Sequence, residues 1–229
     1  MSDIFDEVSA DLRRDRATQT WERYGRYVIA TGVAIVVLVA LIIGYQSYKT
    51  AQEEAASERF DALNEALSNV TSYAQRHELN KSFIDAEGDG YQALAMMQAG
   101  FDAAENGDTE TALALFDKLT TRGALPISVR DFNRLQAGIV LLNTGASIED
   151  IEARLGRLLV EGNNLRPSAR EVLALAHMQK DGLLDARRLF GEQLADPMVN
   201  NLSRERARIM MSIVNSKIGP SAKTNTDAN

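Results

Sequence analysis

The hydrophobic pattern begins with one long uncharged stretch, Tyr27–Tyr48, which Arg26 and Lys49 close on either side. At about 1.5 Å of rise per residue, about 20 apolar residues span the ~30 Å hydrocarbon core of a bilayer. Tyrosines near the two ends match an interfacial aromatic belt: Tyr24, Tyr27, Tyr45 and Tyr48. The pattern therefore predicts a transmembrane helix over residues 27–48 rather than a buried helix of a soluble core.

Basic residues around this stretch predict its orientation. Residues 1–26 contain five arginines, whereas the first twenty residues after the stretch contain only Lys49 and Arg59. Basic residues favour the cytoplasmic side. We therefore expect a cytoplasmic leader over 1–26 and an external location for residues 49–229. A cleaved signal peptide is the alternative, but the leader contains six acidic residues and no small-residue cleavage site follows promptly. An uncleaved signal anchor is favoured.

The remaining chain shows helical periodicity and predicts an all-α fold. A linking helix is expected over 49–76, with an apolar stripe that packs on the domain: Ala56, Phe60, Leu63, Leu67 and Val70. A repeat domain is expected over 77–218, and a disordered tail over 219–229. Turn and cap signals predict the domain helices at 91–106, 109–120, 128–143, 148–160, 168–180, 183–194 and 204–218.

Two helical hairpins share a set of small and aromatic residues with the offsets of the tetratricopeptide pattern. The first set is Gly100, Gly107, Ala112 and Phe116, and the last is Ala174, Gly182, Ala186 and Phe190. Gly182 stands one place late. Between them Gly138 and Gly145 fit the pattern, but Asp150 occupies the alanine position. The spacing predicts helical-hairpin repeats with a degraded middle copy.

Composition and the absence of known motifs exclude several classes of partner, cofactor and reaction. Residues 49–229 contain 20 basic and 26 acidic residues, a net charge of −6, which disfavours nucleic acid as a partner. The chain has no cysteine, which excludes disulfides, thiol catalysis and cysteine-based zinc sites. The acidic turn at 85–90 lacks the glutamate of a calcium loop, since Met96 stands at the twelfth position. His77 and His177 lie in no catalytic motif. We predict no enzyme, cofactor or metal.

The first helix of each repeat would line a concave surface, and its apolar face positions are the candidate partner-binding residues. These are Leu94, Met97, Phe101, Phe132, Leu135, Ile139, Leu142, Leu175 and Met178. An apolar groove with adaptable methionines suits an unfolded or helical client. The alternative is that residues 49–76 or 204–218 pack into the groove and fill it.

The arrangement of leader, span and repeats resembles the ancillary Sec translocon subunit family of Gram-negative inner membranes. The local resemblance runs through RRDRATQTWERYGRY (13–27) and YQALAMMQAGFDAAENGDTETALALFDKL (91–119). The resemblance implies a single-pass inner-membrane protein whose periplasmic domain cooperates with the translocon and membrane-anchored chaperones on emerging clients. An envelope scaffold for division or cytochrome maturation is the alternative, and a membrane-anchored enzyme is the rival from another class.

Overall fold

The computed structural model describes residues 37–219, and every regular element within them is a helix. The expectation of an all-α fold is therefore confirmed for this part of the chain. The helices are α1 (37–68), α2 (Tyr73–Ala86), α3 (Asp89–Glu105), α4 (Thr109–Thr121), α5 (Ile127–Asn143), α6 (Ile148–Leu155), α7 (Arg166–Gln179), α8 (Leu183–Ala195) and α9 (Asn201–Ile218). A 3-10 turn, Gly156–Leu158, follows α6. The predicted leader, residues 27–36 of the predicted span and residues 220–229 lie outside the described part.

The chain divides into two compact units, Met1–Glu58 and Arg59–Asn229, with the boundary inside α1. In the first unit the large apolar side chains of residues 37–48 are all exposed. Just beyond them Gln52 donates a hydrogen bond of 2.7 Å to the Tyr48 hydroxyl. None of the helices of residues 37–219 is long and apolar enough to cross a membrane. Residues 27–36 of the predicted span lie outside these residues, so the anchor remains a prediction.

The expectation of one helix over 49–76 is wrong at its end. Helix α1 stops at residue 68, where the side chains of Ser68 and Asn69 both donate to the Glu65 carbonyl, at 2.7 and 3.0 Å. Such bonds compete with continued helical pairing. A second helix, α2, then extends to Ala86, over residues 77–86 for which the sequence analysis predicted no helix. Only Asn80 and Ile84 of α2 are buried, so it has too little apolar periodicity to be found from the pattern.

The apolar stripe of α1 does pack on the domain within the second unit. Leu63 and Leu67 are buried in a cluster with Ile84 of α2 and Met96 of α3, and Phe60 is half-buried against the same cluster. Helix α2 is also fixed to α3 by charge. Arg76 donates to both oxygens of Asp102, at 2.7 and 2.9 Å, and the Asn80 amide donates to Asp102 at 3.3 Å. The part of α1 from Arg59 onward and helix α2 therefore pack directly on the first helix of the repeats.

The hairpins α3–α4, α5–α6 and α7–α8 turn with the same backbone geometry. Each turn has one residue in the left-handed region: Gly107 (φ 77°), Gly145 (φ 67°) and Asp181 (φ 59°). The N–H of the next residue donates back to a carbonyl of the first helix in all three, at 2.9, 3.0 and 2.8 Å. This is the hydrogen bond of a Schellman-type helix end. Shared turn geometry shows that the three hairpins repeat one structural unit.

The turn residue of the last repeat is Asp181, not Gly182 as the sequence pattern suggested. Asp181 follows Ala174 by seven residues, just as Gly107 follows Gly100, so the repeats are in phase. Aspartate can occupy the left-handed region better than most residues. Gly182 instead forms the N-cap of α8 with a negative φ of −76°. The apparent one-residue shift came from assuming that the turn required glycine.

Close approach between paired helices explains the small residues of the pattern. A Cβ on Gly100 would lie 2.8 Å from the ring of Phe116, and a Cβ on Gly138 would lie 2.5 Å from a methyl of Leu155. In the middle repeat Leu155 therefore packs against Gly138 as Phe116 packs against Gly100, one residue later than the pattern predicts. Asp150 is exposed and forms part of the α6 cap, where its N–H donates to the Ser147 hydroxyl at 3.1 Å.

Ion pairing closes the last hairpin. Asp196 follows α8, its side chain is fully buried, and it accepts from Arg166 at 2.6 and 3.0 Å and from Arg170 at 2.7 Å. The Arg166 guanidinium holds the pKa of Asp196 below its usual value. In the first repeat the equivalent positions are taken by Gln92 and Arg122, which share a hydrogen bond of 2.6 Å. Both contacts join the start of a first helix to the end of its partner.

Candidate interaction surface

Helix α3 presents an apolar strip to solvent. Leu94 is 46% exposed and Phe101 is 37% exposed, and Met97 between them is half-buried. The Phe101 ring packs edge-on against buried Phe116, with centroids 5.4 Å apart, and against Phe132 of α5, with centroids 6.4 Å apart. These aromatic contacts hold Phe101 on one side and leave the other side accessible. They also join the strip on α3 to the neighbouring face of α5.

Two residues predicted for the groove are instead part of the core. Leu135 and Leu142 of α5 are each 6% exposed and belong to the largest apolar cluster. That cluster also contains Ile151 and Leu155 of α6 and Val172 of α7. The helices that follow α5 therefore cover these two leucines. The expectation that they face solvent is wrong, because the pattern alone gives no information on how closely the next hairpin packs.

The remaining predicted groove residues occupy an intermediate environment. Ile139, Leu175 and Met178 are half-buried against the cluster to which α9 contributes Ala207 and Val214. Near the other end of the array, Met97 packs against the cluster that contains Leu63 and Leu67 of α1. Flanking helices therefore share clusters with the face at both ends of the array. The accessible part is centred on Leu94 and Phe101, with half-buried Phe132 beside them.

The residues predicted to form the repeat core are all buried. They are Gly100, Ala112, Phe116, Ala174, Ala186 and Phe190. Phe116 and Phe190 are fully buried in different clusters. Each stands four residues after a fully buried alanine. The core of both hairpins is thus built from the same two positions.

Polar residues complete the accessible face, and the sequence patterns missed them. Gln98 and Gln136 stand two places before Gly100 and Gly138, are half-buried, and make no side-chain hydrogen bond to the described residues. Glu105, four residues after Phe101, is exposed and has no ion pair within residues 37–219. The equivalent spacing of the two glutamines was the available signal. Glutamine belongs to none of the catalytic or metal-binding motifs, so those motifs do not identify the two positions.

Neither histidine lies in a cluster of polar side chains that could form a catalytic or metal site in the described part. His77 lies beside the Tyr73 ring, with centroids 5.9 Å apart, and His177 lies in the last turn of α7. Tyr73 itself donates to Asp108 at 2.7 Å, and burial together with this bond raises its pKa to about 12. No group of three or more histidine, aspartate or glutamate side chains in the described part could hold a metal ion.

A family model for the tetratricopeptide repeat-like domain matches residues 19–147, which is more than half of the chain. The chain belongs to this tetratricopeptide repeat-like domain family. No significant match to the chain was found among curated proteins or among solved structures. The match covers α1 through α5 and ends at the turn that contains Gly145. The common geometry of Gly107, Gly145 and Asp181 extends the tetratricopeptide-like architecture to α8.

Proposed function

We propose that this tetratricopeptide repeat-like protein is a membrane-anchored interaction module that works beside the Sec translocon and engages emerging clients. The observation that carries the proposal is the accessible apolar strip of Leu94 and Phe101, which contacts Phe132 and lies on the repeat array. Exposed apolar patches on a folded domain commonly mark protein interaction sites. Tetratricopeptide-like arrays use such faces for binding other chains, which makes an interaction module a better proposal than an enzyme.

The anchor proposal rests on the first unit. Val37 through Tyr48 form a helix whose large apolar side chains are exposed on all sides, with Leu41 67% exposed and Tyr45 70% exposed. A helix that is apolar all round requires an apolar environment. Together with residues 27–36 this segment reaches the length that a bilayer core requires. The arginines of residues 1–26 favour a cytoplasmic N-terminus, which would place the repeats in the periplasm of a bacterial inner membrane.

A topology reporter tests the anchor. We expect a reporter that is active only outside the cytoplasm to be active when fused after Asn229, because the arginine-rich side should stay inside. The same reporter fused before Met1 should be inactive. Activity of the N-terminal fusion instead of the C-terminal one would show that the proposed orientation is wrong.

Site-specific crosslinking tests the partner. A photo-crosslinking residue in place of Leu94 or Phe101, in the full chain in native membranes, should capture translocon subunits, membrane-anchored chaperones or nascent clients. Leu184 provides the matched control, since it is 61% exposed but lies on α8, outside the strip. Equal capture from Leu184 would argue against a specific face. Capture of division or cytochrome-maturation proteins from the strip would replace the translocon with the alternative assembly.

A further inference from the structure

Apolar side chains are exposed along one edge of the unit that begins at Arg59. From α2 onward consecutive helices contact one another and are joined by short connections, so every second connection lies at the same edge. The connections that lead into α3, α5, α7 and α9 form what we call the entry edge: residues 87–88, 122–126, 156–165 and 196–200. Four large apolar residues in or next to these connections are exposed by 47–70%: Ile127, Val160, Met198 and Leu202. At the opposite edge, within residues 59–219, only Leu184 is a large apolar residue exposed beside a turn.

Hydrogen bonds fix the connections of the entry edge to neighbouring helices. Asn163 donates to Asp131, close to the start of α5, at 2.9 Å. Asp196 accepts from Arg166 at the start of α7 and from the N–H of Met198 at 2.9 Å. The edge is therefore a continuous, defined surface on which adjacent connections are held beside one another.

The exposed residues contrast with other apolar residues of the same connections. Leu158 and Val199 are buried, at 0% and 6% exposure, although they lie within two residues of Val160 and Met198. The connections thus direct some apolar side chains into the core and leave others outside. Exposed apolar side chains on an otherwise well-packed surface commonly mark a contact site.

The chain enters the unit at this same edge. Arg59, the first residue of the unit, forms an ion pair with Glu87 in the connection that leads into α3. Only residues 49–58 separate Arg59 from the predicted span at 27–48. A segment of this length reaches at most about 35 Å even when fully extended. The entry edge is therefore tethered within reach of a bilayer surface if residues 27–48 form the anchor.

Aromatic residues beside the entry point suit a lipid headgroup region. The half-buried ring of Phe60 packs against Phe83 and Tyr91, with centroids 5.8 and 5.4 Å apart. These residues lie near the start of the unit, the end of α2 and the start of α3. Tyrosine in particular combines an apolar ring with a polar end and is enriched at membrane interfaces.

The charge of the entry edge also differs from that of the unit. Residues 59–219 contain 18 basic and 22 acidic residues, a net charge of −4. Two of the carboxylates in the connections, Glu87 and Asp196, are ion-paired with arginines. Exposed Arg157 has no ion pair within residues 37–219, and Glu161 is the remaining acid. The edge therefore lacks the acidic surplus that would repel anionic headgroups.

The distribution of the apolar residues favours lipid over protein as the occupant. Each connection from α4 onward contributes only one or two of them, and they form no groove. A stable protein interface requires a large continuous contact area. A fluid headgroup region can accept separate side chains one by one, and a short tether makes weak insertion effective by raising the local concentration.

We propose that the entry edge docks on the phospholipid surface of the membrane, with Ile127, Val160, Met198 and Leu202 inserted into the headgroup region. This inference rests on the membrane anchor of the proposed function, since the tether supplies the proximity. It adds that the repeats are held at a fixed height and tilt on the bilayer, whereas an anchor alone would leave them free to reorient.

Lipid-quenching fluorescence tests the docking. The chain has no cysteine, so a single introduced cysteine can carry an environment-sensitive dye. The full chain is reconstituted in vesicles of phosphatidylethanolamine and phosphatidylglycerol that contain a lipid with a nitroxide just below its headgroup. A dye at Val160→Cys or Met198→Cys should lose most of its fluorescence to this lipid. Asn143→Cys, exposed at the end of α5 on the opposite edge, is the matched control and should lose little.

Substitutions at other connections test whether the apolar side chains hold the edge in place. With the dye at Val160→Cys, Ile127→Asn combined with Leu202→Asn should shift the docking equilibrium about tenfold or more toward the undocked state and relieve the quenching. Leu184→Asn removes an equally exposed apolar side chain away from the edge and should leave the quenching unchanged. Equal quenching in all three backgrounds would contradict the proposal.

The outcomes distinguish this inference from the proposed anchor. If the full chain does not float with the vesicles, the anchor fails and the docking fails with it. If the chain floats but a dye at Val160 is quenched no more than one at Asn143, the anchor stands and the docking is wrong. If a photo-crosslinking residue at Val160 captures a protein in native membranes while lipid quenching is absent, the edge is a protein interface and the lipid proposal is wrong.

Discussion

Gly100→Ala measures how closely the first hairpin is packed. The added methyl would lie 2.8 Å from Cε1 and 2.9 Å from Cζ of Phe116, closer than carbon atoms normally approach. Phe116 is fully buried and also packs against Phe101, so its ring has little room to move. Overpacking costs about 1–3 kcal/mol, while alanine gains up to about 1 kcal/mol over glycine in a helix. We expect a net loss of about 1 kcal/mol.

Gly191→Ala is the matched control because it changes the same residue type inside another helix. Its added methyl would lie 3.6 Å from Cε of Met211, an ordinary contact, so only the helix-propensity gain remains. The melting temperature of the full chain in detergent should therefore fall by about 2–4 °C for Gly100→Ala. It should rise for Gly191→Ala, by at most about 2–4 °C. Phe116→Leu should remove the penalty of Gly100→Ala by making room. Stabilisation by Gly100→Ala in the wild-type background would refute the packing argument.

Three further substitutions test the core and its ion pairs. Phe190→Ala leaves a cavity at a fully buried position and should lower the free energy of unfolding in urea by about 3–5 kcal/mol, whereas Phe101→Ala, partly exposed, should cost about 1–2 kcal/mol. An equal cost for the two would mean that Phe101 is enclosed and unavailable to a ligand. Asp196→Asn leaves two arginines without their carboxylate and should cost about 3–5 kcal/mol at neutral pH. Because Arg166 lowers the pKa of Asp196, its stabilisation is present above the unfolded value of about 3.9 and is lost as pH falls through the lower folded value. Acid titration of stability should therefore be steeper below about pH 4 in the wild type than in Asp196→Asn, and parallel curves would contradict this assignment.

Local periodicity was sufficient to predict the helices from α3 to α9 and the residues that fill the first and last hairpins. Phe116 and Phe190 were identifiable because each is a large apolar residue at a fixed distance from a small one, and sequence distance controls such contacts within a hairpin. Helix α2 was not identifiable in this way. Ile84 is its one buried apolar residue, and the helix is otherwise held by Asn80 and by the pair of Arg76 with Asp102. Polar contacts of this kind depend on a partner helix that the local pattern does not specify.

The middle repeat shows a second limit. The sequence pattern places Asp150 at the position of a buried alanine, and it therefore predicted a degraded hairpin. The structure keeps the hairpin intact by moving its contacts one residue along, so that Ile151 and Leu155 enter the core and Asp150 remains at the cap. A one-residue shift of register costs little stability when an apolar residue lies next to the expected position. Fixed offsets therefore underestimate how many repeats a chain contains.

Packing between hairpins explains why Leu94 of α3 is accessible and Leu135 of α5 is covered. Leu94 and Leu135 were both predicted as groove residues, yet only Leu135 lies in the large cluster shared by α5, α6 and α7. The ridge of α7 packs against α5, whereas Phe101 stands over the aromatic ring of its own hairpin and receives no comparable cover. Exposed apolar side chains of this kind promote aggregation unless a ligand or partner covers them.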